Sequence, residues 1–391
     1  METQKERLFS LDLLRGLDIF LMAVIGRLIW TAQKVWDIPV ETLNQFRHAY
    51  GGFTFWDIIM PLFLFMCGAA IPFALPKRLD AEGRPTAAFW RHVGWRFVML
   101  WVFGMICGGH LLEFDRMTIY PYSNTLQAIA AGYVIAALAL FIRNAKVRFA
   151  LPFVLAAIYG VILAVYGKYL PEDNAAMNAE LWILHHILPE GSKVYGWTGG
   201  YTWWLTTLMF GTMTLLGSQS TEILISSRTP WRKASLLGGY GLGVLALGLV
   251  LEYVVGEPCI KHIFTPSFTF QAMGYSMLAL SALYVWADIW KFRRGTWIFI
   301  LYGQFALTAY MISGPFRPGL IGFAQVAFKG MPHLLGTARY QPMFEIVGMC
   351  ILMTFALIIR RRLKARTIGV SKLVVSSFLA CVFCKFTLWD L

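Results

Sequence analysis

Apolar positions in this chain run in long, nearly unbroken stretches, with neither the alternation of a half-buried strand nor the narrow stripe of a surface helix. Stretches of roughly 17 to 25 residues, enough for a helix to cross about 30 Å of hydrocarbon, recur near 11–30, 55–75, 93–112, 124–142, 149–167, 202–218, 235–256, 267–289, 297–313, 343–360 and 371–389. They predict an all-α polytopic membrane protein of about 11 spans, because only helices and closed barrels satisfy the backbone in lipid and ten-residue alternating strands are absent. The first stretch keeps Arg15, Asp18 and Arg27 and has no small-residue cleavage site after it, so it reads as a retained span and not a signal peptide. The last, VSKLVVSSFLACVFCKFTLW, follows the basic run IIRRRLKAR. The predicted organisation is one membrane domain over 1–391, with a ten-helix core at about 7–365 and an extra C-terminal helix in 366–391.

Composition agrees with that pattern. Of 391 residues, 58% are apolar and only 14% charged, against about half and a quarter in soluble domains, and the mean hydropathy is +0.60. The net charge of +13 alone admits a nucleic-acid partner, but its distribution argues against one. Lys and Arg gather in the N-terminal tail and in every second connection: Lys77/Arg78/Arg84/Arg91, Arg143/Lys146/Arg148, Arg228/Arg232/Lys233, Lys291/Arg293/Arg294 and the 360–366 cluster. The positive-inside rule assigns these to the cytoplasm together with the N-terminus. The segments 31–54, 113–123, 168–201, 257–266 and 314–342 then lie outside, and six of the seven histidines fall on or near that face. Expected partners are the lipid bilayer and no nucleic acid. Cys67, Cys107, Cys350 and Cys381 fall within spans and read as small apolar packing residues, not as a disulfide framework.

Two patches are too polar for plain membrane spans. In RLFSLDLLRGLDIFLM, Arg15 and Asp18 stand at i and i+3; they can pair and snorkel to the cytoplasmic edge, or Arg15 can meet a phosphate-bearing ligand there. In FRHAYGGFTFWDIIMP, Thr54 and Asp57 have capping-box spacing at the start of the second span, and Gly51 and Gly52 let the chain fold back. Arg47 and Asp57 bracket His48 with opposite charges, and an imidazole at a membrane edge suits acid–base or nucleophilic chemistry near neutral pH. His48 otherwise reads as a solvated loop histidine and Asp57 as a helix cap. No HExxH, Walker A, GxGxxG, GxSxG or paired Cys-x-x-C competes. The adjacent His185 and His186 point to different helix faces, so no metal is expected. The aromatics of GWTGGYTWW, among them Trp197, Tyr201, Trp203 and Trp204, fit either an interfacial belt or a platform for a sugar ring.

Taken together, RLFSLDLLRGLDIFLM, FRHAYGGFTFWDIIMPLFLFMCGAAIPFAL, NTLQAIAAGYVIAALAL, FTPSFTFQAMGYSMLALSALY and YGQFALTAYMI resemble, over roughly residues 7 to 365, the bacterial relatives of heparan-α-glucosaminide N-acetyltransferase among the transmembrane acyltransferases. The resemblance implies a multi-pass enzyme of the inner membrane that takes acetyl groups from cytoplasmic acetyl-CoA and delivers them to an extracytoplasmic amino sugar or glycan fragment. His48 corresponds to that family's active-site histidine, with Asp57 setting its tautomer. Arg15, Arg91 and Arg96 are the guanidinium groups suited to the donor phosphates, and Asn124, Gln127 or His110 would stabilise the oxyanion. The chain departs from the family pattern at Gly26–Arg27, where an Asn is usual, at Ala128 after the Leu-Gln pair, and at Gln304–Phe305 in the Gly-x-Asn helix. A homodimer is compatible with these expectations. Two other readings are a transporter of amino sugars or muropeptide fragments and a noncatalytic subunit of an envelope complex.

Overall fold

The computed structural model describes residues 8–109, 111, 118–119, 122, 124–171, 173–187, 193–194, 203–335 and 337–369. His110, Trp197, Tyr201 and the helix expected at 371–389 lie outside these. Among the described residues the architecture is helical, and the strands are two residue-pair ladders: Thr118–Ile119 parallel to Lys193–Val194, and Tyr169–Leu170 antiparallel to Asp173–Asn174. Five helices are long and apolar enough to cross a membrane: Phe55–Ala74, Ala145–Tyr166, Pro230–Val255, Pro266–Ile289 and Gln341–Leu363. The chain is thus an all-α protein with several membrane-length helices. Ala145–Tyr166 shows Val154, Ile158, Val161 and Val165 on its exposed face, a surface at home in lipid and costly in water.

Internal contacts group the chain into two compact units, one of Met1–Leu11 with Leu43–Phe292 and one of Asp12–Thr42 with Arg293–Leu391. In the first, helix Ile59–Ala74 is buried on nearly every face, as its apolar sequence all round requires. It packs on Thr207–Leu224 and on Thr125–Ala139. The crossing depends on two glycines: a Cβ at Gly68 would stand 1.8 Å from the Thr214 carbonyl oxygen, and one at Gly217 2.0 Å from that of Phe65. Small residues at such a crossing let two backbones touch where no water is available to drive association. Two buried hydroxyls of Thr207–Leu224 bond to carbonyls one turn back, Thr214 Oγ1 to Phe210 O at 2.8 Å and Ser220 Oγ to Leu216 O at 2.8 Å.

The second unit takes up helix Phe9–Phe20 from Asp12 onward, and the chain passes through a π-helical turn, Leu21–Ile25, into Gly26–Val35. The stretch expected as one span at 297–313 is two helices, Trp297–Gln304 and Ala306–Ser313, broken at Phe305 (φ −124°, ψ 37°). Arg15 and Asp18 do not pair. Arg15 lies 3.9 Å from Asp12, one turn earlier, and Asp18 is 1% exposed.

Candidate active site around His48

The site is built where the chain enters helix Ile59–Ala74. Thr54, extended at φ −110° and ψ 157°, caps the 3-10 turn Phe55–Ile58, and Thr54 and Asp57 form the capping box. The Asp57 carboxylate accepts the Thr54 backbone N–H at 3.2 Å and its hydroxyl at 2.8 Å, both on Oδ2. This leaves Oδ1 facing His48, whose Nδ1 is 2.7 Å away. Asp57 is fully buried, while the His48 side chain is 44% exposed. A buried carboxylate therefore anchors an imidazole that is itself partly exposed.

The loop after His48 is held by a second loop from far along the chain. Gly52, at φ +85°, adopts a left-handed turn that favours glycine, and its N–H donates to Cys259 O at 2.8 Å beside a Gly51–Ile260 antiparallel bridge. The 257–265 loop is itself pinned: the Ile260 N–H donates to Thr265 Oγ1 at 3.0 Å, and the Ser267 N–H donates to Glu257 Oε2 at 2.8 Å. These bonds bring Lys261, 8% exposed, to 3.2 Å from Asp57 Oδ1. Arg47 is exposed, and only its carbonyl enters the network, 2.8 Å from Thr54 Oγ1, where it competes with Asp57 Oδ2 for the one hydroxyl proton. The cation beside the ring is Lys261, not Arg47.

Lys261 Nζ lies 2.8 Å from Nδ1 and 3.5 Å from Nε2 of His48. An amine in the ring plane along the Nδ1 lone pair would stand much farther from the opposite nitrogen, so the near-equality places Nζ over the ring face. The in-plane position at Nδ1 belongs to Asp57. The network assigns the Nδ1–H tautomer, with that proton donated to Asp57, and leaves the Nε2 lone pair for chemistry. Burial pushes the Lys261 ammonium down to about 8, with the charge and hydrogen bond of Asp57 opposing. His262 is held down at about 4 by burial, then by the charges of Lys261 and His48, and it stacks on Tyr50 at 5.6 Å and 21°. Burial raises Tyr50 to about 12, and its hydroxyl donates to Tyr169 O at 2.6 Å.

The other residues singled out from the sequence occupy different places. Asn124 and Gln127 are buried and form the capping box of helix Thr125–Ala139. Asn124 Oδ1 accepts from the Leu126 N–H at 2.9 Å, and Gln127 Oε1 accepts from the Asn124 N–H at 3.1 Å. Arg91 and Arg96 are both on helix Ala87–Gly108, Arg91 exposed and Arg96 with its guanidinium 4.6 Å over the Tyr133 ring. Arg15 belongs to the second unit. Among the described residues no group of three or more His, Cys, Asp or Glu could hold a metal ion. Lys261 is the functional residue that sequence reading missed; its one signal is a charge next to a histidine, KH, inside a short connection between two apolar runs.

Residues 7–166 match a domain of unknown function, DUF5009. The matched stretch holds His48 and Asp57 and ends before Lys261. No curated protein matches the chain.

Proposed function

We propose that the chain is a membrane-bound acetyltransferase that moves an acetyl group from cytoplasmic acetyl-CoA to the amine of an extracytoplasmic, glucosamine-like sugar. The proposal includes about 11 spans, a cytoplasmic N-terminus, residence in the inner membrane and a ten-helix core with an added C-terminal helix. Its support is the His48–Asp57 pair at 2.7 Å, together with the sequence resemblance. An imidazole anchored at Nδ1 by a buried carboxylate and open at Nε2 has the form needed to move protons or acyl groups near neutral pH.

Nε2 takes the proton from the amine as its nitrogen attacks the thioester carbonyl. The carbon–sulfur bond breaks as the amide forms, and the departing thiolate receives that proton. In a second chemistry open to the same atom, Nε2 attacks the thioester carbonyl and expels the thiolate, which leaves as the thiol; the amine then attacks the acetyl group, the carbon–Nε2 bond breaks as the amide forms, and the released imidazole takes the amine's proton. Arg15, Arg91 and Arg96 remain the proposed phosphate-binding groups of the donor. Any oxyanion role for Asn124 or Gln127 belongs to their amide nitrogens, since an oxyanion needs donors, while their oxygens accept in the helix cap.

Purified protein with labelled acetyl-CoA and glucosamine tests the reading. Transfer by the wild type and its loss in His48→Ala are expected, and label retained on acid-quenched protein marks the two-step route. Absence of transfer in the wild type, or full transfer by the variant, refutes the enzyme. Uptake of labelled sugar into vesicles without acetyl-CoA would assign transport instead.

A further inference from the structure

A second constellation in the first unit has no part in the chemistry at His48. Arg78 closes the 3-10 turn Pro76–Arg78 after helix Ile59–Ala74, and its guanidinium donates to the Ala74 carbonyl. The Arg78 carbonyl accepts from Thr86 Oγ1 at 2.7 Å, and Thr86 is the N-cap of Ala87–Gly108. That bond sets Arg78 beside the first turns of the helix. His92 and Arg96 lie one turn apart on it, so they share a face. Arg96 spans from Cys67 Sγ, 3.7 Å from its Nη2, to the face of Tyr133. Both arginines act electrostatically on His92 and on Tyr133, so four groups from three helices converge.

Two of these groups lack what burial normally demands. Tyr133 is 1% exposed, and neither its hydroxyl nor His92 Nε2 has a hydrogen-bond partner among the described residues. Buried polar atoms are nearly always paired, and each exception calls for a cause. Here the orphaned atoms are both able to donate, and they sit with two guanidinium groups that repel each other unless a negative charge lies between them. No ion pair holds Arg78 among the described residues. An anion rich in acceptor oxygens would satisfy both orphans and offset the repulsion, and guanidinium forks match phosphate oxygens well.

We propose that Arg78, His92, Arg96 and Tyr133 form a binding site for a phosphate group. The phosphate can belong to a soluble ligand or to a lipid headgroup, and the chemistry of recognition is the same. The site sharpens the role proposed for Arg96, but it is tested by binding alone, so its failure is separate from failure of acetyl transfer.

The test measures thermal unfolding of the full-length protein with rising inorganic phosphate, coenzyme A, or phosphatidic acid in phosphatidylcholine nanodiscs, each against chloride at equal ionic strength. A ligand that binds only the native form raises Tm with concentration. A saturable rise with at least one probe is expected, with apparent affinity falling about tenfold in Tyr133→Phe, which removes only the orphaned hydroxyl, and further in Arg78→Gln. A response to phosphatidic acid alone assigns the site to a headgroup; a response to coenzyme A or phosphate assigns it to a soluble ligand. No rise with any probe, or wild-type affinity in both variants, overturns the proposal. Should a variant fold poorly, the absence of any wild-type response suffices to refute it.

Discussion

Replacing Lys261 by Met removes one charge from a place where its cost is legible. The folded protein releases the Lys261 proton at about pH 8, whereas the free side chain holds it to 10.5. Between those values the unfolded chain binds more protons than the native state, so wild-type stability rises with pH across the window. The side chain is only 10% exposed, and the shift corresponds to about 3 kcal/mol gained on going from below pH 8 to above 10.5. Met has no proton to release, so Lys261→Met lacks that rise. Its loss of the ammonium beside Asp57 adds an offset that does not vary with pH over this range, since the carboxylate does not titrate there. Melting curves of both proteins in one detergent from pH 7 to pH 11 isolate the lysine by difference. The wild-type Tm should gain on the variant by roughly 5 °C through the window. A difference flat from pH 8 to 10.5 would show that folded Lys261 keeps its proton as long as the free side chain does and is not buried beside His48.

Asp57→Asn leaves the Lys261 ammonium buried without its counter-charge and weakens the helix cap, so unfolding should become easier by about 3 kcal/mol, read by denaturant melts at pH 7; a loss under about 1 kcal/mol contradicts the buried pairing. The same variant should lose at least about a hundredfold in acetyl transfer while its KM for acetyl-CoA stays near wild type, because Asp57 orients His48 without touching the donor; a change in KM alone argues against that role. Gly68→Ala should destabilise the first unit by about 1–3 kcal/mol or more, since its Cβ would overlap the Thr214 carbonyl; an unchanged melting curve would show that the two helices do not cross there.

The features legible in the sequence are those set by spacing of a few residues. Thr54 and Asp57 read as a capping box because they stand three positions apart, and the polar cluster around His48 contrasts with the apolar run that follows. The membrane-length helices followed from hydropathy alone. Lys261 was not legible because it lies 213 residues from His48, and no local pattern states which two loops will meet. Asn124 and Gln127 carry the same i, i+3 spacing as Thr54 and Asp57, but two polar side chains at the start of an apolar run fit oxyanion binding as well as capping. The break at Phe305 has no proline or adjacent glycine pair to announce it, and hydropathy runs through it without interruption. Arg15 was offered two acidic neighbours at equal spacing, Asp12 and Asp18, and sequence cannot rank them.

The distance in sequence between His48 and Lys261 also bears on how the protein is made. A ribosome delivers Asp57 to the membrane long before the loop 257–265 exists, and the carboxylate that ends fully buried has no ammonium beside it in the interim. Burying it charged and alone at that stage is expensive, so during synthesis it must stay wet or keep its proton. The Gly51–Ile260 bridge can close only after helices up to Pro230–Val250 have been inserted. Tightening of the His48 loop is therefore a late event, and a nascent chain stopped before Lys261 should leave that loop open to proteolysis.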